Sequence, residues 1–109
     1  MDVFDLAQIV DGHSKNRELY HEFFKAKRLS AGLYVLKAGE TDPQLSHTED
    51  EIYYIVSGAG TIEIDGEHRE VSAGALIYVE EHVPHRFHTI TEDLSIIVVC
   101  APPRHSQRT

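Results

Sequence analysis

The chain has 109 residues, of which 41% are hydrophobic and 26% charged, a size and composition that fit one globular domain and argue against both a disordered chain and a two-domain arrangement. Acidic residues outnumber basic ones by 18 to 10, for a formal net charge of -8, and the densest basic group, Lys25, Lys27 and Arg28, forms no long run. Binding to nucleic acid through its phosphates needs a concentrated positive surface and is therefore not expected. A single cysteine, Cys100, leaves no internal disulfide. The start, Met1-Asp2-Val3-Phe4-Asp5, lacks the basic region and apolar run of a signal peptide, and no stretch is long enough to span a membrane, so the expectation is a cytoplasmic protein without membrane contact.

The first dozen residues carry Phe4, Leu6, Ile9 and Val10, with Asp2 as a candidate N-cap and Gly12 as a candidate stop, which predicts a short helix. Strands follow at residues 19–24 and 29–36, rich in aromatic and β-branched side chains; in the second, Leu33 and Val35 alternate with Gly32, Tyr34 and Leu36, and both sides are expected to be at least partly buried. A strand at 52–56 ends at Ser57-Gly58-Ala59-Gly60, and another at 61–64 leads into Asp65-Gly66, a strong hairpin signal. The return strand near 67–71 reaches a break at Ser72-Ala73-Gly74, a strand at 75–79 follows, and Pro84 marks a loop. Strands at 86–90 and 94–100 complete the pattern, and Ala101-Pro102-Pro103 opens a polar tail over 102–109. Many short strands with Gly-containing turns and at most one helix indicate an all-β sandwich or closed barrel, one domain over 1–109 with its core at 18–101.

Of eight histidines, His47, His82, His85 and His88 fall at strand ends or turns near Glu49-Asp50-Glu51. Side chains alternate in an extended segment, so His47, Glu49 and Glu51 share one face and Asp50 points to the other. His85 follows the rigid Val83-Pro84 step and begins a strand in which Phe87 and Thr89 share its face, while His88 points the opposite way. Two imidazoles and one carboxylate, from His47, His85 and Glu51, suit one divalent transition metal, Fe(II), Mn(II), Zn(II) or Ni(II), and leave positions open for water or substrate. Glu49 is the reserve ligand, since it shares the face of Glu51. Proton transfer needs a group besides the ligands, and Tyr53 and Glu49 are the candidates. His82 and His88 are expected to be exposed, and Cys100 a small buried apolar residue of the last strand.

The segment Gly39-ETDPQ-Leu45-Ser46-His47-TED-Glu51-IYYIVS-Gly58 resembles the first motif of the cupin superfamily, commonly written G-x5-H-x-H-x3-E-x6-G. The second motif, commonly G-x5-P-x-G-x2-H-x3-N, is matched by Gly74-ALIYV-Glu80-Glu81-His82-Val83-Pro84-His85-RFH-Thr89. Leu45 stands where many metal-binding cupins have their first histidine, Glu80 replaces the usual Pro, His82 the usual Gly and Thr89 the usual Asn. The resemblance implies a double-stranded β-helix, or jelly-roll, barrel with a three-residue site from His47, Glu51 and His85, the vacancy at Leu45 being filled by Gln44 or water. It further implies a small-molecule ligand and one of two activities: a metal-dependent enzyme of dioxygenase or isomerase/lyase type, or a non-catalytic binding or sensing module. Small cupins are commonly dimers, and a homodimer is expected through the apolar first strands at residues 19–36.

Overall fold

The computed structural model describes residues 1–16, 18–43 and 47–105. One helix, α1 (Leu6–Asn16), precedes six strands: β1 (Tyr20–Lys25), β2 (Ser30–Leu36), β3 (Asp50–Ile64), β4 (Glu67–Ser72), β5 (Leu76–Val79) and β6 (His85–Ala101). All pair antiparallel in the order β1-β2-β6-β3-β4, and β5 also pairs with β3. The axis of the barrel is the long β3/β6 pair, which runs from Asp50↔Ala101 to Ile64↔His85. The first half of β3 takes β5 on its other edge and the second half takes β4. No described helix is long and apolar enough to cross a membrane.

The helix differs from expectation at both ends. Its first turn closes on the carbonyl of Asp5, which accepts from Gln8 and Ile9 at 3.0 and 3.2 Å, rather than starting at Asp2. It also passes through Gly12, where the chain crosses His21 so closely that an added Cβ would lie 3.2 Å from the imidazole Nε2. A glycine in the helix interior here serves close approach rather than termination. Among the helix residues whose burial is described, only Ile9 is buried.

Two pairs of expected strands are each a single long strand. Residues 52–56 and 61–64 both lie in β3, and 86–90 and 94–100 both lie in β6. The Ser57-Gly58-Ala59-Gly60 segment is a bulged bend, marked by register shifts between Ile55 and Thr61. An extra residue in one strand reverses which side chains point inward. Glu51, Tyr53 and Ile55 are therefore buried before the bend and Gly60 and Ile62 after it. β6 makes the matching change at Thr89: His85 and Phe87 are buried, Thr89 is exposed, and Ile90, Leu94, Ile96, Val98 and Cys100 continue inward.

Thr89 was expected on the inward face and is the residue that breaks the alternation. Its φ of +47° puts a β-branched side chain in the left-handed region, a costly conformation that Asn tolerates better. His82, another residue standing where the motif has a small one, has φ +64°. Replacing Thr89 with Asn is expected to raise stability by about 1 kcal/mol in denaturant unfolding; an unchanged or lower midpoint would show that the threonine is not strained.

The core gathers Tyr53, Phe87, Leu36, Ile55, Leu94 and Ile96 from β2, β3 and β6, each at most 1% exposed. Asp42, buried at 5% exposure, ties the wall together. One carboxylate oxygen accepts from the Tyr34 hydroxyl at 2.5 Å and the other from the Phe87 amide at 2.8 Å. Nothing in the alternation pattern pointed to Asp42, because it lies in a loop and its partners are remote in sequence.

Candidate metal centre

Glu51 is on β3, His85 opens β6 and His47 lies in the segment leading into β3. The barrel brings the three together: one potential ligand atom from each lies within 4.8 Å of the others, and all three residues are buried. Glu51 Oε1 faces His85 Nε2 at 3.3 Å and His47 Nε2 at 3.8 Å. With both rings neutral that oxygen is buried with no hydrogen-bond partner; only a protonated His85, at 3.3 Å, would donate to it. A buried carboxylate oxygen in that condition is costly unless a cation compensates it.

The donor set fits a divalent metal. Ligand atoms bonded to one ion at about 2.0–2.2 Å stand roughly 3–3.5 Å apart, near the separations seen here. His85 is also preoriented, since its Nδ1 lies 2.8 Å from the Val83 carbonyl. With the proton on Nδ1 donated to that carbonyl, the lone pair of Nε2 is directed to the centre. The other Glu51 oxygen, Oε2, faces the Cys100 thiol at 3.9 Å, across the Glu51↔Cys100 register pair.

The two imidazoles are tuned in opposite directions. Burial disfavours the charged form of both, and at His47 this dominates over the pull of Glu51, so its pKa is lowered. At His85 burial is outweighed by the Glu51 carboxylate and the Val83 carbonyl, and its pKa is raised. Burial, followed by the charges of Glu51 and Glu49, pushes the Cys100 thiol up to about 12. A thiol held that strongly protonated is a poor nucleophile, in line with a structural role.

Tyr53 is fully buried, its ring 5.9 Å from His85 and 5.5 Å from Phe87 between centroids. Burial and the charge of Glu51 hold its phenol well above the usual value, so it is a neutral donor rather than a base. Glu49 shares the buried face of His47 and Glu51, as alternation predicts, but is not part of the three-residue cluster. Its carboxylate is engaged by the Thr48 hydroxyl and by the His105 amide at 3.4 Å. Asp50 points the other way, its Oδ1 accepting from the Glu81 amide at 2.9 Å. His82 is exposed and His88 half-buried on the outer side. Leu45 and Gln44 lie outside the described residues.

Sequence reasoning missed the contribution of the chain end. Residues 102–105, expected as part of a polar tail, fold back over the site. The Arg104 amide donates to Ser30 Oγ at 2.8 Å, the Arg104 guanidinium lies 4.0 Å above the Tyr20 ring, and the His105 ring is 6.5 Å from that of His47. The Pro-Pro step interrupts strand periodicity, and the contacts that hold the segment are too remote in sequence to be read from it.

Comparison with known proteins places this geometry in a family. The profile of the cupin domain family matches residues 32–100. A protein of Streptomyces coelicolor described as uncharacterised is 40% identical over 103 residues, which cover 94% of this chain and 98% of the relative. Among solved structures, KdgF from a Halomonas species superposes with a TM-score of 0.71 at 26% identity, covering 78% of each chain. The DMSP lyase DddQ of Ruegeria pomeroyi shares the fold, with a TM-score of 0.69 at 20% identity over 88% of this chain and 52% of its own. From its antiparallel barrel, its two motif-bearing segments and its match over residues 32–100, the chain belongs to the cupin family.

Proposed function

We propose that the barrel holds one divalent transition metal on His47, Glu51 and His85 and uses it as an enzyme on a small organic molecule. The observation that carries this reading is Glu51 Oε1, buried without a hydrogen bond between two imidazole Nε2 atoms. When bound, such an ion, Fe, Mn, Zn or Ni, supplies Lewis acidity and open coordination positions. The chain's own residues do the rest. Val83 fixes the His85 tautomer, and the neutral Tyr53 phenol beside the centre donates a hydrogen bond or proton. Phe87 and Leu36 wall the interior with apolar surface that limits water, and Glu49 holds the chain end across the site through His105. A lone ion-bearing barrel with a buried proton donor suits isomerase or lyase chemistry, and oxygenation is the other enzymatic outcome. The scaffold likeness to a lyase is compatible with the former.

The competing reading is a cytoplasmic module that binds or senses a small molecule without transforming it. It is favoured by the want of an available base among the described residues, Glu49 being occupied by the chain end and Tyr53 held protonated. Elemental analysis of freshly purified protein is expected to find at least about one equivalent of a divalent metal, and chelated protein to take back an equivalent that is missing from His47→Ala. Failure to take up any metal on titration would overturn both readings. Turnover of candidate small carbonyl or carboxylate compounds by the loaded protein then separates enzyme from module.

We further propose a homodimer. β1 is an unpaired sheet edge, as the sequence suggests, and Ile52, Tyr54, Leu76 and Tyr78, between 41% and 68% exposed, form an apolar outer face on β3 and β5. Light scattering on the eluting protein should give twice the chain mass of 12.3 kDa; a monomer alone would refute the proposal.

A further inference from the structure

The outer wall of the barrel carries a second group with ligand chemistry, on residues that the interior centre does not use. Strand register builds it. Glu63 on β3 lies directly opposite His68 on β4 and Arg86 on β6, and Thr61, two residues before Glu63, lies opposite His88. Residues two apart in a strand share a face, so Glu63, His68, Arg86 and His88 all project from the same outer surface. His88 is thus turned away from His85 although only three residues separate them.

The contacts within this group are those of a partly assembled ligand set. His68 Nδ1 and His88 Nε2 are 2.9 Å apart. His68 Nε2 lies 3.9 Å from Glu63 Oε2, and one ligand atom from each of Glu63, His68 and His88 falls within 4.8 Å of the others. The remaining atoms are fixed by neighbours. Arg86 Nε donates to Glu63 Oε1 at 3.0 Å, which orients the carboxylate and leaves Oε2 turned to His68 Nε2. His88 Nδ1 lies 3.0 Å from Thr89 Oγ1. A proton on Nδ1 donated to that hydroxyl leaves the Nε2 lone pair facing His68, the support that metal-binding imidazoles commonly receive from a neighbouring group.

From this we propose that Glu63, His68 and His88 form a surface site for one divalent transition-metal ion, zinc by its two-imidazole, one-carboxylate donor set, separate from the interior centre. In the ion-free pair the His68 Nδ1 proton bridges to His88 Nε2. On binding, that proton moves to His68 Nε2, the ion takes the bridging place, and the Glu63 carboxylate turns its Oε2 from the Nε2 side of His68 towards the ion, so a neutral pair releases no net proton. Donors around a tetrahedral zinc stand roughly 3.3–3.4 Å apart, so the imidazoles separate by a few tenths of an ångström, which their exposure permits. The ion joins β4, β3 and β6 on the outside of the barrel, and water fills its fourth position.

The test is zinc titration of chelator-stripped protein by calorimetry, with wild type, His68→Ala, His88→Ala and Glu63→Gln compared. All three side chains are on the surface, so the variants are expected to fold, and unchanged circular dichroism confirms it. The wild type should bind zinc at a saturable outer site whose affinity falls at least about 100-fold in either histidine variant, beyond the loss expected for a merely supporting residue. Loss of the same equivalent from His47→Ala instead would assign it to the interior. A zinc anomalous peak should lie on the outer wall next to His68 and His88. Equal affinity and stoichiometry in wild type, His68→Ala and His88→Ala, or zinc spread without saturation over the eight histidines, would overturn the proposal. Because the outer variants leave the interior untouched, failure of the interior centre to bind metal would not imitate failure here.

Discussion

Replacing His85 or His47 with alanine is expected to remove the proposed interior metal, lowering its affinity by more than about 100-fold, because each is one of the three donors that the described residues bring together. Glu49→Ala should keep the metal. Its carboxylate is occupied by Thr48 and His105 and lies outside the cluster, so its loss should instead loosen the chain end. Metal content per chain, measured after gel filtration, reads all three variants, and equal content in all of them would overturn the assignment. The metal-free protein carries a pH signature of the same centre. The raised pKa of His85 makes a contribution to stability that is fully present below its ordinary value of 6.5 and is lost as pH rises through the raised value. The lowered pKa of His47 acts in the opposite sense, contributing above 6.5 and losing that contribution as pH falls through its lowered value. Stripped protein should therefore be most stable near pH 6.5, and His85→Ala should remove the decline on the alkaline side. With metal bound, both rings must be neutral, so acidification should favour release. Thermal melts across pH, with and without chelator, separate the two behaviours.

Gly58→Ala is expected to be among the most damaging single substitutions in the chain. At φ +96° the backbone occupies a conformation open to glycine, and a Cβ there would sit 2.1 Å from the Asp93 carbonyl oxygen and 2.8 Å from Leu94 Cα. Both obstacles are backbone of the paired strand and cannot swing aside. The left-handed conformation and the forced separation of β3 from β6 together cost about 2–4 kcal/mol, or a fall of roughly 10–20 °C in melting temperature for a domain of this size. Gly39 and Gly74 also have positive φ, but a Cβ at either meets nothing within 4 Å. Alanine there should cost about 1 kcal/mol. Thermal unfolding of the three variants checks the ranking, and a Gly58→Ala protein that melts with wild type would show that the bend can open.

The motif glycine at 58 was legible as a break, but its purpose was not. Sequence reads Ser57-Gly58-Ala59-Gly60 as a turn because glycines there commonly end strands. The tertiary pairing with β6 shows that the chain continues and uses them to shift register. Thr89 and His82 were visible as departures from the usual Asn and Gly. Only the backbone shows that both positions carry positive φ, which is why small or amide side chains suit them.

What the sequence by itself determined is local and periodic: the all-β class, the Asp65-Gly66 hairpin, the shared face of His47, Glu49 and Glu51, and the motif spacing that singled out His85. Alternation has a period of two residues, so it propagates reliably along an uninterrupted strand. Tertiary structure decided whatever depends on a neighbour's register. It turned Thr89 outward, closed Asp42 onto Tyr34 and Phe87, and folded Arg104 and His105 back over the interior. It also distinguished Glu51, facing two imidazoles, from Glu49, which shares its face but meets the chain end, and it set His68 beside His88 from strands twenty residues apart. The register shifts between Ile55 and Thr61 and the break at Thr89 move every later side chain of each long strand to the other face, and neither their position nor their partner is carried by the pattern of one strand alone.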